Sequence, residues 1–279
     1  MSSLGPESDA GIQALQAVMA SPGDTLIGVD FDGTLEPIID NPDEAFAHPA
    51  AVAALSRLGP MVGVIAVITG RPARTAVRLG GFQTVSGLSS MVVLGQYGVE
   101  RWDADTDEFS IPPEPASITA VANELPRILA ELGLTDVRVE HKGRAIGVHT
   151  REMGDSVSAF ERLAEPLEEL AARHGLLIEP GKNVLEIRAP GFDKGDALRH
   201  LVDEKHIRQV VFAGDDLGDL PAFRAVEQLR GEGVPGLLVC SASHEEDALS
   251  EMADLVLCGP EGVAQWLTTL AEKLEAKTG

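Results

Sequence analysis

The sequence is poor in aromatic and in basic residues, and both shortages narrow the classes of protein that it can encode. Only 4% of the 279 residues are aromatic, so the 44% that are hydrophobic must build a mainly aliphatic core. Lys and Arg number 22 against 44 Asp and Glu, which gives a formal net charge of −22. Because nucleic acids and anionic membranes attract clustered Lys and Arg, we expect neither as a partner.

Long apolar runs and cysteine frameworks are also missing. No stretch approaches the roughly 18 apolar residues that a membrane span needs. The start, MSSLGPESDAG, has neither the basic beginning nor the apolar stretch of a signal peptide. Cys240 and Cys258, the only cysteines, each follow an apolar run, so we interpret them as core residues. These features predict a cytoplasmic protein.

Short apolar runs alternate with helical patterns in both terminal parts of the chain. This alternation is typical of a parallel sheet with helices on both faces, so we predict an α/β fold with a doubly wound parallel sheet. We expect the first twenty or so residues to be loosely ordered. The predicted strands are 25–30, 62–69, 91–95, 209–214, 236–240 and 254–258.

The middle of the chain follows a different pattern. After the Pro-rich segment IPPEP at 111–115, helices alternate with strand pairs in which apolar and polar residues alternate, as in VLEIR. Alternation of this kind predicts an antiparallel sheet with one face open to water. We interpret 111–190 as an inserted α+β domain and predict that 1–110 and 191–279 together build the core domain.

The strongest motif, DFDGT at 30–34, directly follows the first predicted strand. Residues i and i+2 of an extended chain face the same way, so Asp30 and Asp32 point to one place. Ligands of doubly wound sheets bind outside the carboxyl ends of the strands. Adjacent carboxylates repel unless a cation lies between them, and oxygen ligands favour Mg²⁺.

Other candidate groups follow strands that end at the same edge. The Thr69 hydroxyl and nearby N–H groups can hold a phosphate oxygen. Lys194 begins a predicted helix, where a cation opposes the helix dipole and so indicates another role. The segment AGDDLGD sets Asp215, Asp216 and Asp219 after a strand, which is typical of a metal site. Each segment alone is also explained by a cap, a turn or a surface side chain.

Together these groups predict phosphoryl transfer. Asp30 can attack phosphorus to form an aspartyl-phosphate, and Asp32 can protonate the leaving alkoxide and then activate water. Mg²⁺, Lys194 and Thr69 can neutralise the phosphoryl oxygens. Arg71, which closes the segment VITGR, can reach a substrate phosphate or lie on a helix surface.

In that order, DFDGT, VITGR, a Lys before a helix and GDDxxD resemble the four motifs of the haloacid dehalogenase (HAD) superfamily of phosphatases. The resemblance implies a HAD-like core in which the inserted α+β domain is a cap. It implies Asp30 as nucleophile and Asp32 as acid and base. It further implies metal ligation by Asp30, the Asp32 carbonyl and Asp215. Asp216 is an additional candidate ligand, and Asp219 would support the site.

The segments EHKGRAIGVHTR and EPGKNVLEIRAPGFDKGDAL are similar to signatures of the trehalose-6-phosphate phosphatases. This resemblance implies hydrolysis of trehalose 6-phosphate and a functional link to a trehalose-6-phosphate synthase. A solvated sheet face with cross-strand ion pairs explains the same side chains without a ligand. The residues at the family's sugar-contacting positions are Glu140, Lys142, Arg151, Lys182 and Glu186.

Two alternatives stay open on the sequence alone. The chain can be another capped sugar phosphatase, acting on sucrose 6-phosphate or on a mannosyl phosphoglycerate. A phosphoacceptor regulatory domain is disfavoured because such domains lack a long insertion and a DFD pair at one strand end. The loop Gln96-Tyr97-Gly98 stands where the trehalose-6-phosphate phosphatases often have Asn-His-Gly, and no direct role is assigned to it.

Overall fold

The computed structural model describes residues 5–37, 39, 44–181, 183–191, 193–242 and 247–278. Numbered along the chain, the strands are β1 (Thr25–Val29), β2 (Val64–Ile68), β3 (Met91–Gly95), β4 (Glu100–Asp103), β5 (Glu108–Ser110), β6 (Arg138–His141), β7 (Ala145–His149), β8 (Leu177–Gly181), β9 (Val184–Arg188), β10 (Gln209–Gly214), β11 (Gly236–Ala242) and β12 (Leu255–Cys258). The helices are α1 (Asp9–Ala20), α2 (Pro49–Leu58), α3 (Ala73–Gly80), α4 (Ala116–Glu131), α5 (Ser156–Arg173), α6 (Lys194–Glu204), α7 (Leu220–Gly231), α8 (Asp247–Met252) and α9 (Gly259–Thr278).

The chain divides into two compact units, Met1–Ile111 with Phe192–Gly279, and Pro112–Gly191. We call them the core unit and the inserted unit. In the core unit the described strands form one sheet in the order β12-β11-β10-β1-β2-β3-β4-β5. The first six of these strands pair in parallel, and β4 and β5 are antiparallel additions at one edge. The predicted α/β class with a parallel sheet is therefore confirmed.

Burial on both faces explains why the central strands are continuously apolar. Every residue of β1, β2, β3 and β10 is buried. One layer of buried side chains, drawn from α1, α2, α3 and α9, covers one face of the sheet. The other layer comes mainly from α6 and α7. Two-sided coverage of this kind is what a mostly parallel sheet requires.

The sheet order brings distant motifs to one edge. Strand β1 lies between β10 and β2, with Val29 in register with both Ala213 and Val67. Because the three strands are parallel, their carboxyl ends meet. The segments that follow them therefore meet as well, as is usual at the ligand-binding edge of doubly wound sheets.

The expectation of a loosely ordered start is wrong for 9–20, which forms helix α1. The contacts at the start of this helix are long-range: Ser8, which caps it, hydrogen-bonds through its side chain to Asp254, 246 residues away. Gly11 packs so closely that a Cβ there would lie 2.5 Å from the Asp254 Cβ. Such contacts stabilise a helix whose sequence pattern is weak on its own.

The inserted unit is an antiparallel sheet in the order β6-β7-β9-β8. One face carries alternate apolar residues such as Ile146, Val148 and Ile187, which pack with side chains of α4 and α5 into a separate core. The other face carries the polar residues that alternate with them.

No helix in the described part of the chain is both long and apolar enough to cross a membrane.

Candidate active site

The DFDGT motif folds into a tight turn at the end of β1. The Asp30 N–H donates to the Ala213 carbonyl at 2.9 Å, and the Phe31 carbonyl accepts from the Leu35 N–H at 2.9 Å. Gly33 has φ +69°, and a Cβ there would lie 1.9 Å from Asp215 Oδ2. Glycine is therefore required at position 33 for two reasons: the backbone is left-handed there, and Asp215 occupies the space that a side chain would need.

Lys194 joins the two acidic segments. Its Nζ donates to Asp30 Oδ1 at 2.7 Å and to Asp219 Oδ1 at 2.8 Å, and all three residues are buried. Burial alone would lower the pKa of Lys194, but the Asp219 and Asp30 carboxylates outweigh it and raise that pKa well above its ordinary value. Lys194 is the first residue of α6, whose capping box is formed by Asp193 and Asp196. The ammonium group is thus charged, buried and fixed by a capped helix.

Three buried carboxylates, those of Asp30, Asp215 and Asp219, each place an oxygen within 4.8 Å of the others. Burial, followed by the Asp219 and Asp216 charges, raises the pKa of Asp215 to about 8. Among the described residues no donor hydrogen-bonds to the Asp215 carboxylate, whereas Asp219 Oδ2 accepts from the Asp215 N–H at 2.9 Å. A set of carboxylate oxygens with excess negative charge fits a hard divalent cation.

Asp216 and Asp32, also candidate ligands on the sequence, are not members of this group of carboxylates among the described residues. The Asp216 side chain accepts from the Gly218 N–H at 2.8 Å and caps the short turn 217–219. Asp32 directs its carboxylate to Arg71 instead. The structure thus places Asp219, and not Asp216, beside Asp30 and Asp215. The spacing of acids in DDLGD could not distinguish a turn cap from a buried carboxylate.

The Asp32 carboxylate is held by Arg71. Arg71 Nε lies 2.9 Å from both Asp32 oxygens and Nη2 lies 2.5 Å from Oδ1. Partial burial would raise the pKa of Asp32, but the hydrogen bonds and charge of Arg71 outweigh it and lower that pKa. Arg71 is only 12% exposed, so it does not lie on a helix surface.

Glu36, which the sequence did not single out, completes this cluster. Its side chain is 1% exposed, and Oε1 lies 3.4 Å from Arg71 Nη2. Burial and the neighbouring Asp32 raise the pKa of Glu36 to about 8. Its position four residues after Asp32 was the available signal, since the turn 31–36 brings the two backbones together in an isolated β-bridge.

Thr69 is fully buried and braced by the loop after β3. The Tyr97 N–H donates to the Thr69 carbonyl at 3.0 Å, and Gln96 Nε2 donates to the Gly70 carbonyl at 2.7 Å. Gln96 and Tyr97 have φ of +48° and +59°, a conformation that costs roughly 1–3 kcal/mol in non-glycine residues. The loop therefore supports the backbone of the VITGR segment, a contribution that the sequence did not reveal.

The polar face of the inserted unit carries an ion pair and a hydrogen-bonded pair that are linked. Lys142 Nζ lies 2.6 Å from Glu186 Oε2, and His149 Nε2 lies 2.9 Å from Glu140 Oε2. The hydrogen bond from His149 lowers the pKa of Glu140 to about 2, against the effect of burial. Lys142 also approaches Glu140 at 3.9 Å, which joins the pairs into one cluster.

Register explains why these side chains meet. Glu140 is in register with Gly147 on β7, and Gly147 is in register with Glu186 on β9, so the three share one row across the sheet. The glycine leaves the centre of that row without a side chain.

Arg151, another expected sugar contact, follows β7 and is exposed. Lys182, the remaining expected sugar contact, lies outside the described residues.

The fold is shared with haloacid dehalogenase-like proteins of known structure. The chain resembles a haloacid dehalogenase-like hydrolase from Bacteroides thetaiotaomicron with a TM-score of 0.59 at 17% identity, over 88% of this chain and 99% of the other. The C-terminal domain of a C. albicans trehalose-6-phosphate phosphatase gives a TM-score of 0.74 at 19% identity, over 96% of this chain and 98% of the other. At these identities both comparisons show the fold.

Sequence comparison gives the family. Residues 28–255 match the trehalose-phosphatase family, so the chain belongs to that family. It is 31% identical to the trehalose-phosphate phosphatase of Mycobacterium avium, over 90% of this chain and 63% of the relative. The corresponding Mycobacterium marinum protein is 30% identical over 94% of this chain and 66% of its own length. The chain thus spans about two thirds of the length of these curated relatives.

Proposed function

We propose that this protein is a Mg²⁺-dependent phosphatase that hydrolyses trehalose 6-phosphate to trehalose and phosphate. The observation that carries the proposal is the buried Asp30 carboxylate, held by Lys194 and grouped with Asp215 at the carboxyl edge of the sheet. The trehalose-phosphatase family membership supports the choice of substrate. The names of the mycobacterial relatives agree with it.

In the first step Asp30 attacks phosphorus, and the bond from phosphorus to the sugar oxygen breaks. Lys194 engages Asp30 Oδ1, so the attack falls to Oδ2. Asp32 delivers a proton to the departing sugar oxygen, which leaves as a neutral hydroxyl group. In the second step a water gives a proton to Asp32 and attacks phosphorus, and the bond to Asp30 breaks to release phosphate.

The groups around phosphorus supply charge. Lys194 brings its ammonium group beside the attacking carboxylate, and the N–H groups after Thr69 lie at a strand end where a phosphoryl oxygen can bind. We propose that Asp30, Asp215 and the Asp32 carbonyl hold Mg²⁺, with Asp219 orienting Lys194 and the backbone of Asp215. When bound, the ion would neutralise the phosphoryl oxygens.

The polar face of the inserted unit is the proposed binding surface for the disaccharide. Carboxylates accept hydrogen bonds from sugar hydroxyls and ammonium groups donate to them, and Glu140, Lys142 and Glu186 present both kinds of group in one cluster. Arg151 and Lys182 are retained as proposed contacts on the resemblance to the family. We further propose a cytoplasmic reaction that consumes the product of a trehalose-6-phosphate synthase.

The test is phosphate release from a panel of sugar phosphates. Purified protein with Mg²⁺ is expected to turn over trehalose 6-phosphate far faster than sucrose 6-phosphate, glucose 6-phosphate or mannosyl phosphoglycerate. An Asp30→Asn variant, purified in the same way, is expected to lose several orders of magnitude in rate, because the covalent step is removed. Equal turnover of all four esters would reject the substrate, and near-normal turnover by Asp30→Asn would reject the mechanism.

A further inference from the structure

Ser241 is a fully buried residue near the carboxyl end of β11. Its neighbour Cys240 is in register with Gly214 of β10, the residue that directly precedes Asp215. Ser241 therefore lies at the same edge of the sheet as the acidic centre. Its hydroxyl group donates to the Gly33 carbonyl at 2.7 Å, although 208 residues separate the two in the chain. This hydrogen bond joins β11 to the DFDGT turn.

Hydrogen bonds hold the DFDGT turn on both sides of the Asp32 carbonyl. On the side of β1, the Phe31 carbonyl accepts from the Leu35 N–H at 2.9 Å. On the other side, the Gly33 carbonyl accepts from the Ser241 hydroxyl. The Asp32 carbonyl itself accepts no hydrogen bond from the described residues. A backbone carbonyl with free lone pairs is a suitable ligand for a hard divalent cation.

Gly33 is the position of this turn that most needs an external contact. A glycine backbone reaches more conformations than that of any other residue, so by itself it fixes the turn poorly. A larger residue is excluded, because a Cβ at position 33 would lie 1.9 Å from Asp215 Oδ2. The constraint must therefore come from elsewhere in the fold, and the hydrogen bond from Ser241 supplies it.

We propose that Ser241 is a positioning residue for the Mg²⁺ site, whose hydroxyl group, by holding the Gly33 carbonyl, keeps the Asp32 carbonyl oriented beside Asp215. This inference rests on the proposed function, in which the Asp32 carbonyl is one of the groups that hold the ion. Without the hydroxyl group, the buried Gly33 carbonyl loses its donor, and the glycine can rotate toward another one. The Asp32 carbonyl then loses its fixed direction, while the Asp30 and Asp215 carboxylates stay in place.

The test measures Mg²⁺ binding to the folded protein by isothermal titration calorimetry, with no substrate present. Loss of a group that orients metal ligands typically weakens binding about 10–100-fold, so Ser241→Ala is expected to raise the dissociation constant of Mg²⁺ by about tenfold or more. Ser241→Cys keeps nearly the same side-chain volume but has only a weak donor. It is expected to weaken binding to a similar degree, which would assign the effect to the hydrogen bond and not to a cavity.

Ser90→Ala is the matched control. Ser90 also donates its hydroxyl group to a glycine carbonyl, that of Gly59 at 2.9 Å. It directly precedes β3 and so lies at the opposite edge of the sheet from the acidic centre. Because each variant loses one hydrogen bond of the same kind, Ser90→Ala and Ser241→Ala are expected to lower the melting temperature of the metal-free protein comparably. The Mg²⁺ dissociation constant is expected to stay unchanged in Ser90→Ala.

Three results would overturn the inference: an unchanged dissociation constant in Ser241→Ala, an unchanged one in Ser241→Cys, or an equal loss of Mg²⁺ binding in Ser90→Ala. The last result would show that any lost hydrogen bond weakens the site through general stability. A wild-type protein that binds no Mg²⁺ would instead reject the proposed metal-dependent function, on which the inference rests.

Discussion

Lys194 Nζ lies 2.7 Å from Asp30 Oδ1, although 164 residues separate them in the chain. The contact is buried and shared with Asp219, so one ammonium group balances two carboxylates in a region of low solvent access. Removing one partner of a buried ion pair is far more damaging than removing the whole pair, because the remaining charges stay unpaired.

Lys194→Met is therefore expected to destabilise the metal-free protein by about 3–5 kcal/mol at neutral pH. Urea unfolding in the presence of a chelator measures this change. Lys205→Met is the matched control, since Lys205 is exposed and forms a surface ion pair with Glu204 at 3.3 Å. The control is expected to change stability by less than about 1 kcal/mol. Equal effects of the two substitutions would show that the buried contact contributes no more than a surface pair.

The sequence was sufficient to predict the groups of the acidic centre because they follow apolar strands. The parallel pairing of β10, β1 and β2 is implied by continuous apolar runs, and strand ends that share an edge bring Asp30, Thr69 and Asp215 together. A sequence pattern of this kind predicts the backbone position of each side chain. It does not predict the direction in which each side chain points. Asp216 caps the turn and Asp219 is a buried carboxylate because of the backbone geometry of 216–219.

Glu36 and helix α1 were missed for a related reason. Both depend on contacts that only the folded chain provides: Glu36 on the turn that returns to Asp32, and α1 on the close approach of Gly11 to Asp254. The local secondary-structure propensity of the sequence predicts neither of these contacts. Strands β4 and β5 were also missed. Alternate residues of β4 are partly exposed, so it has no continuous apolar run, and the edge strand β5 is short.

Metal binding can be measured without any enzyme assay. Mg²⁺ at about one hundred times its dissociation constant is expected to raise the free energy of unfolding by about 2.7 kcal/mol, because it binds the folded state alone. Thermal unfolding with and without Mg²⁺ gives the shift. Asp215→Asn is expected to abolish it, whereas Asp216→Asn is expected to keep it, since Asp216 caps a turn. The opposite order of the two variants would return Asp216 to the ligand set.

The pKa of Glu140 predicts a pH-dependent contribution to stability in the inserted unit. The hydrogen bond from His149 lowers that pKa from 4.5 to about 2. A lowered carboxyl pKa stabilises the folded state above the unfolded value, and this contribution is lost as the pH falls from about 4.5 to about 2. Because Glu140 is one-third exposed, we expect only about 1–2 kcal/mol.

Glu140→Gln removes the titrating group and keeps the shape of the side chain. The difference in unfolding free energy between wild type and this variant is expected to be full above about pH 5 and to shrink as the pH is lowered toward 2. Urea titrations followed by circular dichroism at several pH values give this difference. A gap that stays constant over the whole range would mean that Glu140 has an ordinary pKa in the folded protein.

The last prediction concerns Glu186, which distinguishes a sugar-binding face from a merely solvated one. Its side chain is 10% exposed, its carboxylate lies 2.6 Å from Lys142 Nζ, and the residue shares a row with Gly147 and Glu140. If the face binds trehalose, Glu186→Ala removes an acceptor for the sugar and one acceptor of Lys142. The loss of about 1.4–4 kcal/mol of charged hydrogen bonding is expected to lower kcat/KM for trehalose 6-phosphate roughly ten- to a thousandfold.

Turnover of 4-nitrophenyl phosphate, which has no sugar, is expected to change far less in the same variant, because the groups around phosphorus lie in the core unit. Glu124→Ala serves as the control within the inserted unit: Glu124 is on helix α4, forms an ion pair with Arg173 at 2.9 Å and hydrogen-bonds His174 at 2.7 Å. This variant is expected to leave kcat/KM for both substrates unchanged. If Glu186→Ala slows both substrates equally, its contribution is structural, and the polar face does not select the sugar.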